Sequence, residues 1–165
     1  MAMPPTDRML VEYLRRAYHA VDGLWFVRVE EEHGFEEALE LDRRVWEVLA
    51  KVQARKAREL TQSSGCAAGA LARCFGLKLT ADGHDFEVET SPAAVAFRIA
   101  GCPWLALLRK SGRTDLAQRV AEAICLTEGR VWCAEFGGEW EFEMPRMACA
   151  GAAACEMRYV RCEQR

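Results

Sequence analysis

The chain has 165 residues, 28% charged and 51% hydrophobic, enough apolar material to bury the core of one domain and too much for a disordered chain. A formal net charge of −3 offers no basic surface to a phosphate backbone, so no nucleic-acid partner is expected. No apolar run reaches the ~20 residues that cross a bilayer, and the first residues lack the apolar stretch of a secretory signal. The expectation is a cytoplasmic protein without a membrane partner, whose eight cysteines stay reduced.

Pro4-Pro5-Thr6-Asp7 predicts a helix start, with Leu10, Tyr13, Leu14, Ala17 and Val21 on one face. Asp22-Gly23 reads as a break before a second helix, Leu24–His33, stopped by Gly34. Phe35–Thr61 is the longest periodic segment, with Ala38, Leu41, Val45, Leu49 and Val52 as its apolar stripe. After Gln62–Gly65, a short alanine-rich helix spans Ala67–Phe75, with Cys66 and Cys74 as inert packing at its ends.

Near Asp85 the period changes from helical to alternating. Phe86–Thr90 and Val95–Gly101 read as strands around a Ser91-Pro92 turn. Pro103–Lys110 is a short helix, and Thr114-Asp115 starts another carrying Leu116, Val120 and Ile124 on its inner face. Trp140–Met144 and Cys155–Tyr159 alternate as strands, and Met147–Cys149 paired with Cys155–Met157 would form a hairpin. The expected fold is α+β in a single domain, 1–165. Helices over 1–75 pack on a small antiparallel sheet in 76–165, itself crossed by two helices.

Six of the eight cysteines lie between Ala96 and Cys162. Gly101-Cys102-Pro103 sets a thiol where a strand meets a helix N-terminus, a position that favours the nucleophilic thiolate. The plain alternative is a small apolar plug, and no histidine adjoins it in sequence. Cys149 and Cys155 flank one turn, and with Cys102 and Cys125 they form a candidate ligand set for zinc or an iron–sulfur cluster. No Cys-x-x-Cys supports that set. Trp25 and Trp46 are candidate walls of a ligand cavity and should pack near each other; Arg98 and Trp104, on either side of Cys102 in sequence, are candidate ligand contacts with Cys155. Glu30-Glu-Glu-His33 has the spacing of a helical di-metal half-site, but only one copy is present.

Asp22-Gly-Leu-Trp25-Phe26, Val29-Glu30-Glu31, Gly34, Ala38-Leu39-Glu-Leu41-Asp42 and Val45-Trp46 resemble the N-terminal signature of a bacterial family similar to the L-2-amino-thiazoline-4-carboxylic acid hydrolase-like proteins. Cys102-Pro103, Cys125 and Cys149-x-Gly151-x-x-x-Cys155 resemble the cysteine order of those proteins, and the last element is similar to the end of the 4-vinyl reductase-type ligand-binding domain. The resemblance implies a pocket between helices and sheet, and hydrolytic opening of a small sulfur- or nitrogen-containing ring at a cysteine-lined site. In that reading Cys102 is the nucleophile, Cys125 and Cys155 line the pocket, and Glu30 or Glu128 moves protons. No histidine follows His84, which leaves a cysteine–histidine pair without its second member in that region. The alternative is a sensor or accessory protein that binds a small molecule or metal on Cys102, Cys125, Cys149 and Cys155 without turnover.

Overall fold

The computed structural model describes residues 4–162. Thr6 caps the first helix, α1 (Asp7–His33), its hydroxyl accepting from the Met9 amide. The helix runs straight through Gly23, because a single mid-helix glycine costs only about 1 kcal/mol and packing on both sides of it outweighs that. It ends at Gly34, whose φ of +86° suits glycine and whose amide bonds the Glu30 carbonyl, and α2 (Phe35–Leu60) turns back along it. Helix α3 (Ala68–Asp82) extends seven residues beyond the expected end, through Lys78 and Asp82, to a left-handed Gly83. All regular structure before Phe75 is helical among the described residues.

The strands follow: β1 (Asp85–Thr90), β2 (Ala94–Gly101), β3 (Trp140–Arg146) and β4 (Cys155–Arg161). They form one antiparallel sheet in the order β1-β2-β4-β3. Helices α4 (Pro103–Lys110) and α5 (Ala117–Glu135) lie between β2 and β3 in sequence, with a 3-10 turn, Thr114–Leu116, joining them. No helix of the described residues is long and apolar enough to cross a membrane.

Alternation sends Val95, Phe97, Ile99, Cys155, Met157 and Tyr159 to one sheet face, where α3 and α5 cover them. Phe75 of α3 anchors this core, with its ring centroid 5.1 Å from Phe97, 4.9 Å from Trp132 and 5.3 Å from Tyr159. Arg98 alternates to the opposite face, exposed beside Glu87, and so stands outside the interior where it was expected to meet a ligand.

The apolar faces of α1 and α2 differ from expectation. On α2 the buried row is Ala38, Asp42, Trp46, Ala50, Ala54 and Ala57, while Val45 and Val52 are exposed. The alanines admit the close approach of α5, which the bulkier valines would prevent. On α1, Leu10, Tyr13, Leu14 and Val21 are likewise exposed, and His19 and Val29 are buried. Trp25 is 54% exposed and does not pack against Trp46; without a break at Gly23, the cavity-facing row of α1 is His19, Asp22 and Phe26, and Trp25 turns outward.

Candidate functional site

A cavity of about 410 Å³ opens between α1, α2, α4, α5 and the ends of β2 and β4. Its walls are mainly apolar and aromatic: Phe26, Trp46, Trp104, Leu105, Ile124 and Met157 are representative. Trp104 closes one side, its ring centroid 4.4 Å from His19 and 5.6 Å from Trp46. Trp46 and Trp104 line the cavity, and Trp25 does not.

Cys102, Cys125, Cys149 and Cys155 all line this cavity, although they come from four separate stretches of chain. Cys102 and Cys155 sit at element ends and Cys149 lies in a 3-10 turn, whereas Cys125 lies in the middle of α5. Cys102 caps α4, its Sγ 3.5 Å from the Leu105 amide, with Pro103 following at the helix start. The expected activation does not result: burial raises the Cys102 thiol above its ordinary value, and the cap amide only partly offsets it. Burial raises Cys125 further, with the Glu128 carboxylate acting in the same direction.

The C-terminal hairpin also departs from expectation. β3 pairs with β4 as far as Arg146 opposite Glu156, with a register shift between Glu143 and Arg146, and Ala148–Ala150 then forms a 3-10 turn. Cys149 is thus off the ladder, and Cys155 Sγ instead accepts from the Ala148 amide at 3.2 Å. All eight cysteines are free. Among the described residues no three Cys, His, Asp or Glu side chains are arranged to hold a metal ion, so the expected set of Cys102, Cys125, Cys149 and Cys155 shares a cavity without forming a ligand cage.

Glu30 is engaged elsewhere. Both of its oxygens lie 2.6 Å from Arg113, a pair that ties the end of α1 to the turn before α5. Of the two carboxylates considered as proton carriers, Glu128 lines the cavity and Glu30 does not. Glu128 of α5 and Asp82 of α3 hold the buried ammonium of Lys78, Nζ lying 2.7 Å from Glu128 Oε1 and 3.1 Å from Asp82 Oδ2. Burial raises the Glu128 carboxyl, and Lys78 works against that rise. His84, beside this cluster, is pushed down to about 3 by burial and by the Lys78 charge, and burial lowers His19. Both imidazoles are therefore neutral near pH 7.

Asp22 and Asp42 complete the polar lining, which they share with Trp46. Burial raises Asp22 to about 6, and burial with repulsion from Asp22 raises Asp42 to about 7. Sequence reasoning missed both: Asp22 reads as part of a helix break, and Asp42 is given no role of its own. The available signal was spacing, since Asp42 lies four residues from Ala38 and four from Trp46, within the small-residue row.

Residues 7–141 match the DUF6125 family, described as a family of unknown function. The chain belongs to that family. No curated protein matches the sequence. Among solved structures, the fold is similar to the crystal structure of the phenol-responsive sensory domain of the transcription activator PoxR with phenol. The TM-score is 0.52 at 13% identity, over 89% of this chain and 75% of that one, a likeness of fold.

Proposed function

We propose that this chain is a small-molecule-binding domain that holds one compact, largely apolar organic ligand between its helical layer and its sheet. The observation that carries the reading is the cavity: about 410 Å³, walled by Trp46, Trp104, Ile124 and Met157, with its polar groups drawn from several different elements. A volume of this order suits a ring-sized molecule, and a few convergent polar groups in an apolar wall are what fix such a ligand's orientation. The similar fold of a domain described as phenol-responsive supports a sensory role over a purely structural one.

The resemblance to the L-2-amino-thiazoline-4-carboxylic acid hydrolase-like proteins and to the 4-vinyl reductase-type domain belongs to the same proposal, since both imply a ligand in this place. Ring-opening turnover would fall to Cys102 and Glu128. The raised thiol of Cys102 weighs against it, so binding without turnover is the preferred reading.

The test is calorimetric titration with phenol, indole and related single- and double-ring compounds, on the native chain and on Ala121→Trp. Ala121 lines the cavity, and an indole there would fill it. Saturable binding to the native chain, lost in a folded Ala121→Trp protein, is the expected result. Binding that survives the filled cavity would place the ligand elsewhere, and no binding by any compound would remove the reading.

A further inference from the structure

We propose that the cavity takes a ligand whose polar end is a protonated amine or amidinium, gripped by Asp22 and Asp42; this rests on the reading of the cavity as a small-molecule site. Asp42 is only 5% exposed, yet it lines the cavity and pairs with no cation among the described residues. Asp22 reaches the same space from the neighbouring helix, in the same lining as Trp46. Two carboxylates here lack a partner cation among the described residues, and a buried charge is stable only when paired and hydrogen-bonded.

The protein's own cations are committed elsewhere. Lys78 is held by Glu128 and Asp82, Arg113 by Glu30, and Arg15 by Glu12 and the carbonyls of Thr80 and Ala81. His19 and His84 line the cavity but are kept neutral by burial. Of the residues that line the cavity, the carboxylates Asp22, Asp42 and Glu128 outnumber the cations Lys78 and Arg113. A ligand cation would supply the missing charge. The same excess disfavours anionic ligands such as free carboxylates and phosphates, which would add like charge to a desolvated site.

Benzylamine and benzyl alcohol test this, having nearly the same size and shape but differing in charge. Calorimetric titration at pH 8 should show the amine binding about ten-fold or more tightly than the alcohol, as a charge-assisted contact in a desolvated site requires. That preference should shrink to within about two-fold in Asp42→Asn and Asp22→Asn. Alcohol binding that equals or exceeds amine binding in the native chain would overturn the amine class, and that comparison needs neither variant to fold. A preference that survives in both folded variants would overturn the assignment to these two carboxylates. If indole binds but neither benzyl compound does, the amine class falls and the cavity stands; if none of the three binds, the small-molecule reading falls with it.

Discussion

Lys78 and Glu128 meet inside the protein, Nζ 2.7 Å from Oε1 and 2.8 Å from Oε2, with side chains 5% and 4% exposed. Burial alone would lower Lys78, but the fields of Glu128 and Asp82 override it and hold the ammonium above its ordinary value. The charge also lies 5.5 Å from the Phe75 ring and 5.8 Å from the Trp46 ring, so it joins the core to the cavity wall. Removing one member of such a cluster leaves its partners charged and unpaired, which is why breaking it costs more than its net worth.

Lys78→Met should therefore destabilise the chain by about 3–5 kcal/mol at pH 8, read from urea unfolding. The loss should shrink as pH falls and the stranded Glu128 carboxyl, raised by burial, takes up a proton. A loss below about 1 kcal/mol at pH 8 would show that the cluster does not hold α3 to α5.

Gly129 sits in the middle of α5, where helix propensity favours almost any other residue. A Cβ built there would run into the Phe142 ring of β3, with no space between. Gly129→Ala, which would stabilise a free helix, should here destabilise the protein by about 1–3 kcal/mol or more. Stabilisation by the substitution would mean that α5 does not approach β3 this closely.

Asp42 makes stability depend on pH in a direction that can be assigned. Its carboxyl is raised to about 7 in the folded chain, so between about pH 4 and pH 7 the folded state binds more protons than the unfolded one. Its contribution thus falls as pH rises through that window, by about 1.4 kcal/mol for each unit of displacement. His19 and His84, lowered by burial, act oppositely up to their unfolded values, and Asp22 acts with Asp42. Comparing native and Asp42→Asn stabilities isolates the term: the variant should gain on the native chain from pH 5 to pH 8. A difference that stays flat across that range would mean Asp42 titrates as an exposed carboxyl.

The cavity thiols should be slow nucleophiles. Cys102, Cys125 and Cys149 are all raised by burial, so little thiolate is present near neutral pH. Timed alkylation with iodoacetamide at pH 7.5, followed by peptide mass mapping, should find all three modified more slowly than a free cysteine peptide. Fast, selective labelling of Cys102 would restore the nucleophile reading and with it the hydrolytic proposal.

Much of the fold was legible because local patterns and global packing agree in this chain. The change of period near Asp85 marks the helix-to-sheet boundary, Pro103 marks the start of α4, and Gly34 marks the turn between α1 and α2. The same local evidence erred wherever the deciding contact came from a distant segment. Gly23 looked like a stop, but a helix packed along its length tolerates one glycine. The valines of α2 looked like its inner face, but α5 selects the alanine row because small side chains permit a closer approach.

For the site, the sequence alone determined that thiols gather toward the second half of the chain and that Trp46, Trp104 and Cys102 were worth following. Only the tertiary structure decided that Cys102, Cys125, Cys149 and Cys155 share one cavity, that Glu30 is bound by Arg113, and that Asp22 and Asp42 line that cavity with Trp46. The reason is physical. Residue type and spacing set which groups share a face of one helix or strand, whereas a thiol's or a carboxyl's chemistry depends on burial and on charges from other elements, which exist only once those elements pack.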